Sequence, residues 1–205
     1  MPGPYVLCPF LIACDSNEGH PFSFTGMISD AHKKNCEYIV DVRWMSLGRY
    51  PDSYGDYSIP GLEQEVAVER KSMEDVWSTV MGWETEEQKE KGLPSRRKRF
   101  ESELENLSSL PASVVVVEAE LGEILASIPD RGSRDPDTNR KMFFRSLISF
   151  QQRFKVPWMF APGRRTAETW TFRWLMRYWE KLPKKRRIEL ARTHSEWKEA
   201  QPIAL

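Results

Sequence analysis

GDYSIPGLEQEVAVERKSMED, Gly55 to Asp75, is the stretch around which the chain is read. Asp56–Ile59 and Glu65–Lys71 are short runs suited to strands, and Pro60-Gly61 between them marks a turn, so the spacing predicts a β-hairpin. Glu69 and Lys71 are two apart on a strand and share a face. Ser72 is placed to cap a following helix, with Glu74 and Asp75 in its first turn, where the helix dipole favours acids. That helix is expected to bury Val76, Trp77, Val80, Met81 and Trp83. Taken alone, Glu69-Arg70-Lys71 would read as a solvated strand end. Beside Asp56 and Asp75 it gathers more candidate catalytic groups than any other stretch of the chain.

The chemistry of these side chains is specific. Carboxylates on neighbouring strands, here Asp56 and Glu69, can converge on one divalent cation. Mg²⁺ takes a few carboxylates together with waters and phosphate oxygens. Such an ion activates water and offsets charge on a leaving oxygen. An ammonium on the Glu69 face, Lys71, would then stand beside the metal-bound water, able to orient it or to stabilise a pentacovalent phosphate. Asp followed by Glu-x-Lys on the next strand is the order of restriction-endonuclease-like folds.

Upstream, Phe10–Cys14 is an apolar run read as a buried strand. Asp15 and Glu18 lie just past its end, where open α/β sheets place ligand-binding groups. Residues 1–9, with three prolines, read as an irregular lead-in. Ser23–Asn35 reads as a short helix and Glu37–Leu47 as a strand. Downstream, Glu84–Arg99 is a charged segment broken by Gly92 and Pro94, read as a mobile insertion. Phe100–Leu110 reads as a helix and Ser113–Glu118 as the clearest buried strand. Leu121–Ile128 is a short helix. A longer helix is capped by Asp137 or Thr138 and runs to about Phe154. Val156–Phe160 is a strand and Thr166–Leu182 an aromatic-rich helix. The hairpin and the later strand–helix alternation predict an α/β fold: a mixed central sheet flanked by helices on both faces. The expected organisation is a domain over 10–182 with its insertion at about 84–99, followed by a basic C-terminal tail over 183–205.

Net charge is zero, with 30 Lys/Arg and 30 Asp/Glu, but the balance is uneven. Arg140–Arg192 holds 15 Lys/Arg against 3 Glu, a net of +12, so the remainder carries −12. An acidic site beside a basic surface suits a polyanionic partner. Lys184-Lys185-Arg186-Arg187, with Arg173 and Arg177 one helical turn apart, are the candidates for phosphate contact; a solvated basic face is the plainer reading. Trp170 and Trp174 are either core residues or a stacking platform for bases. Three cysteines without metal-ligand spacing read as reduced thiols of an intracellular protein, cytoplasmic in a prokaryote or virus and nuclear in a eukaryote. No apolar run approaches the length of a membrane span.

Gly55-Asp56, Glu69-Arg70-Lys71 and Asp75 together match the G-D-x(n)-E-R-K-x3-D pattern of the XPF-type structure-specific endonucleases. The resemblance extends from about Phe10 to Glu180. Asp15-Ser16-Asn17-Glu18 is similar to the family's D-x-R-E, with Asn17 in the Arg position. Arg99-Phe100-Glu101-Ser102-Glu103-Leu104 resembles R-F-x-x-E-L, and Val114–Glu118 resembles the apolar strand ending in Glu. The tandem helix-hairpin-helix turns that family members use for DNA binding and dimerisation are not found after Glu180, so a stand-alone nuclease domain is expected.

The resemblance implies a restriction-endonuclease-like fold and a Mg²⁺- or Mn²⁺-dependent endodeoxyribonuclease. Its substrate would be branched or single-strand/duplex junction DNA, in repair or recombination. Asp56 and Glu69 become metal ligands, with the Arg70 carbonyl as a third and Asp15 and Glu18 completing the acidic cluster. Lys71 becomes the catalytic base or transition-state cation. Gly55, Arg70 and Asp75 hold the motif's shape, the last two by pairing or phosphate contact. DNA is the expected partner, with a homodimer or heterodimer as the expected assembly and neither membrane nor nucleotide cofactor involved. The alternative is a non-catalytic DNA-binding or scaffold subunit that pairs with another nuclease or helicase.

Overall fold

The computed structural model describes residues 4–30, 36–48, 51–52, 54–82, 94–127 and 135–200. In chain order the strands are β1 (Tyr5–Leu7), β2 (Ile12–Asp15), β3 (Met27–Ile28), β4 (Glu37–Ile39), β5 (Val42–Met45), β6 (Tyr57–Ser58), β7 (Val66–Lys71), β8 (Ala112–Val117) and β9 (Trp158–Phe160). The helices are α1 (Met73–Met81), α2 (Arg96–Ser108), α3 (Leu121–Ala126), α4 (Pro136–Phe154), α5 (Arg164–Lys181) and α6 (Lys184–Ala200). One sheet has the order β5-β2-β6-β7-β8-β9 and a smaller one the order β1-β4-β3.

Side-chain alternation along β7 and β8 makes the larger sheet the middle layer. The two strands run parallel, Val66 opposite Ala112 and Lys71 opposite Val117. Val66, Val68, Val114 and Val116 pack on one face with Phe10, Phe172, Leu175 and Trp179. Ala67, Val115 and Val117 pack on the other with Val76, Leu104, Phe143 and Phe150. Near-continuous apolar strands are what a parallel pair covered on both faces requires. Each such side chain contributes roughly 1.5–3 kcal/mol on burial. The sheet is mixed as expected: β6 pairs antiparallel with β2 and β7, while β2–β5, β7–β8 and β8–β9 are parallel.

Local signals placed the hairpin and α1 correctly. Ser72 Oγ accepts the Asp75 amide, and Gly82 closes α1 in the left-handed conformation. Several other expectations are corrected. Tyr5–Leu7, inside the supposed irregular lead-in, is a strand, because it finds Glu37–Ile39 as a parallel partner. Within Ser23–Asp30 there is a strand, Met27–Ile28, in place of the start of a helix, since it pairs antiparallel with β4. The single strand expected over Glu37–Leu47 is broken after Ile39, and its halves join different sheets. Arg96–Arg99 open α2 instead of closing an insertion, because Ser95 caps that helix by accepting the Lys98 amide. Asp135 caps α4, with Pro136 in its first turn. Residues 84–93 of the expected insertion, and Trp83, lie outside the described residues.

The basic segment after Leu182 is helical over Lys184–Ala200 and is pinned to the body. His194 is buried. Its Nδ1 accepts the Leu11 amide at 3.3 Å, and its Nε2 lies 2.9 Å from the Pro60 carbonyl, which fixes the proton on Nε2. The ring also stacks on Trp179. No helix is long and apolar enough to cross a membrane among the described residues.

Candidate active site

The end of β7 distributes three consecutive charged residues to two faces. Glu69 and Lys71 follow Ala67 and point toward α2; Arg70 follows Val68 and points the other way. Asp56 precedes Tyr57, which shares the Val68 face, so its carboxylate belongs to the Glu69 side. The turn that delivers Asp56 depends on Gly55 at φ +92, where a Cβ would meet the Val68 carbonyl oxygen at 3.0 Å. Asp56 Oδ2 accepts the Arg70 amide at 2.7 Å, and the Asp56 amide donates to the Val68 carbonyl at 2.9 Å. The two strands are thereby locked together at the site.

On the α2 side, Lys71 Nζ is bonded to Glu69 Oε1 and stands 3.8 Å from Glu103 Oε2. Glu69 is 2% exposed, and its Oε2 is buried with no hydrogen-bond partner. Burial pushes the Asp56 carboxyl up to about 7, against the pull of Lys71 and with added push from Glu103 and Glu18. Burial, Asp56 and Glu103 likewise hold Glu69 well above the ordinary carboxylate range. Burial works against the Lys71 ammonium, yet Glu69, Glu103 and Asp56 outweigh it and keep it charged. Two buried carboxylates and one orphaned oxygen fit a divalent cation, which would supply the charge that a single ammonium does not.

The opposite face is a closed ion-pair chain. Arg70 Nε and Nη2 donate to the two oxygens of Glu118 at 2.7 and 3.0 Å, and Arg70 Nη1 reaches Glu18 Oε1 at 3.2 Å. Arg164 Nη1 joins Glu118 at 2.9 Å, while Arg164 Nη2 donates to the His20 and Pro21 carbonyls. Both guanidinium groups lie against the Phe22 ring. Arg70 therefore shapes the motif through Glu118 and Glu18. Asp75 is exposed and its carboxylate bonds back to the Ser72 hydroxyl at 2.9 Å.

The larger acidic cluster expected around one ion does not assemble. Among the described residues no group of three or more His, Cys, Asp or Glu side chains is arranged to hold a metal. Arg70 draws off Glu18, and Asp15 accepts the Leu47 amide and the Asn17 side chain. Asp56 and Glu69 remain as a pair, with Lys71 on one of the two. The basic residues also separate from the site. Arg186 is bonded to Glu65 at the start of β7, about 20 Å along the strand from Lys71. Arg173 pairs with Asp30 and Arg177 with Glu180. Lys184 and Lys185 are exposed at the same end, and Arg187 is half-buried. Trp170 and Trp174 pack against the core. The three cysteines are buried and form no disulfide among the described residues, and burial with Glu18, Asp56 and Asp15 pushes the Cys14 thiol up to about 12.

Three contributors were not singled out as site residues: Glu103, Glu118 and Arg164. The first two lie in R-F-x-x-E-L and at the end of the apolar strand, so the signal was present. Arg164 carried none, since the expected helix opened at Thr166, two residues after the observed start of α5.

Comparison with family models finds no match, and neither does comparison with curated proteins. Among solved structures the chain is similar to XPF from Aeropyrum pernix, at 14% identity and a TM-score of 0.50, covering 92% of this chain and 80% of that one. It is also similar to XPF from Aeropyrum pernix in complex with DNA, at 13% identity and a TM-score of 0.51, covering 93% and 81%. The architecture that carries Asp56, Glu69, Arg70 and Lys71 is thus similar to the fold of XPF.

Proposed function

We propose that the chain is a divalent-cation-dependent DNA endonuclease, with Mg²⁺ or Mn²⁺ held by Asp56, Glu69 and the Arg70 carbonyl. The observation that carries this reading is the buried Glu69 Oε2 without a partner, beside Asp56 and on the face of Lys71. The bound ion would activate water and offset charge on the leaving oxygen. Asp56 is oriented by the Arg70 amide, and Lys71 brings a second positive charge to the attacked phosphate. The likeness to XPF in complex with DNA supports DNA as the polyanion. Branched or junction DNA as the preferred form rests on the resemblance of the Gly55–Asp75 motif alone. Exposed Lys184 and Lys185 would extend the contact away from the site.

With Mg²⁺ or Mn²⁺, the protein is expected to nick at least one of flap, fork, nicked and four-way-junction DNA. Asp56→Ala and Lys71→Ala should lose the activity and keep the circular dichroism of the fold. Equal behaviour of wild type and Asp56→Ala across the panel would end this reading. A DNA-binding scaffold subunit is the second reading, favoured by the engagement of Glu18 and Asp15 by protein partners. Absence of Mn²⁺ binding at millimolar concentration in calorimetry would select it.

A further inference from the structure

The ammonium of Lys71, with three N–H donors, stands among three carboxylates. It holds Glu69 Oε1, makes a longer ion pair with Glu103 Oε2 at 3.8 Å, and feels Asp56 as well. Glu103 comes from α2, as does Phe100, whose ring centre lies 4.8 Å from Nζ. One side of the lysine is therefore β7 and the other is a helix offering a carboxylate and an aromatic face.

The arrangement sets two demands on Glu69. Its Oε1 carries Lys71 and its Oε2 is buried with no partner. A divalent cation on Asp56 and Glu69 would compete with the ammonium for the same carboxylate. A like charge left between them would be repelled in a poorly solvated place. Charge counting shows what Glu103 adds. Asp56, Glu69 and Glu103 ionised with Lys71 charged sum to −2, the complement of one divalent cation. Without Glu103 the sum is −1, and the ion leaves an excess of positive charge. Closing the gap from 3.8 Å to an ordinary charge-assisted hydrogen bond asks Lys71 to move only about 1 Å.

We propose that Glu103 is a positioning residue that receives the Lys71 ammonium when Asp56 and Glu69 turn to a divalent cation. The inference rests on the metal-dependent reading given above. Lys71 stays charged throughout and changes carboxylate, from Glu69 on its own strand to Glu103 on α2. Glu103 acts through Lys71 and is not itself a ligand of the ion.

Calorimetric titration of the intact protein with Mn²⁺ alone, without DNA, tests this. Wild type, Glu103→Gln, Lys71→Met and the double variant form a cycle. Glu103→Gln is near-isosteric, and its folding is checked by circular dichroism; Glu103→Asp is expected to recover part of the affinity. The expected result is a loss of about tenfold or more in Mn²⁺ affinity for Glu103→Gln, as for other residues that support a metal ligand. In the Lys71→Met background the same substitution should cost twofold or less. An equal loss in both backgrounds, or no loss in the first, would overturn the proposal while leaving the metal reading intact. Failure of the wild type to bind Mn²⁺ would instead remove the metal reading, and the proposal with it.

Discussion

The Cα of Gly55 faces the Val68 carbonyl oxygen so closely that a methyl group there would stand 3.0 Å from it. Gly55 also holds φ at +92, outside the range that residues with a Cβ readily adopt. Gly55→Ala is therefore expected to destabilise the cation-free protein by about 1–3 kcal/mol. Asp56, the next residue, should lose its 2.7 Å bond from the Arg70 amide at the same time. Urea unfolding reads the first effect. Amide exchange at Arg70 reads the second, and unchanged protection there would show that the turn adapts.

Asp56 holds its proton more tightly in the fold, to about 7, than at the ordinary carboxylate value of 3.8. Between these values the folded state retains a proton that the unfolded chain has released. In chelator the stability should fall as pH rises through this window, by up to about 1.4 kcal/mol per pH unit for this group, and level off above it. Asp56→Asn lacks this dependence. It should exceed wild type in stability at pH 8, with the difference shrinking toward pH 4.5. Parallel stability curves for the two proteins would contradict the assignment.

The Arg70 side chain is 8% exposed and binds Glu118 through two nitrogens and Glu18 through a third. A lysine cannot reproduce that fork. Arg70→Lys should destabilise by about 3 kcal/mol, since it leaves buried carboxylates partly unpaired. The thermal midpoint checks the magnitude, and a shift below that of a surface substitution would show that the ion-pair chain is dispensable.

His194→Ala removes both hydrogen bonds of the ring and leaves the Leu11 amide and Pro60 carbonyl buried without their partner. The expected cost is about 2–4 kcal/mol. Protease cleavage within Lys184–Ala200 should rise before global unfolding. If α6 stays protected, the anchor lies elsewhere along the helix.

Lys184 and Lys185 are exposed, whereas Arg186 is bonded to Glu65. If DNA crosses this end of the sheet, Lys184→Ala with Lys185→Ala should reduce the slope of log affinity against log salt by about 2. Arg186→Ala should change it less. The three slopes come from fluorescence anisotropy at several salt concentrations.

What could be read from the sequence was local in origin. Pro60-Gly61 announced the hairpin, Ser72 capped α1, and the two-residue step from Glu69 to Lys71 put both on one face. The same step would have sent Arg70 to the other face, and with it Glu18, which was instead assigned to the acidic group. The misses depend on distant partners. Tyr5–Leu7 became a strand through Glu37–Ile39, and Met27–Ile28 through the same strand. Arg164 reaches Glu118 across 46 residues. Arg186 fitted a basic surface until the fold set Glu65 beside it.

The chain of ion pairs from Glu18 through Arg70 and Glu118 to Arg164 has a consequence for how the protein is made. Its members come from the loop after β2, the end of β7, the residue just past β8 and the start of α5. Loops of this length close slowly, and non-local contacts form only after their entropic cost is met. During synthesis Asp56 and Glu69 emerge early, but the arginine that joins Glu118 to the His20–Pro21 loop arrives some hundred residues later. A nascent chain stalled before α5 would hold the acidic pair without that clasp, so the site is expected to reach its final form only near the end of translation.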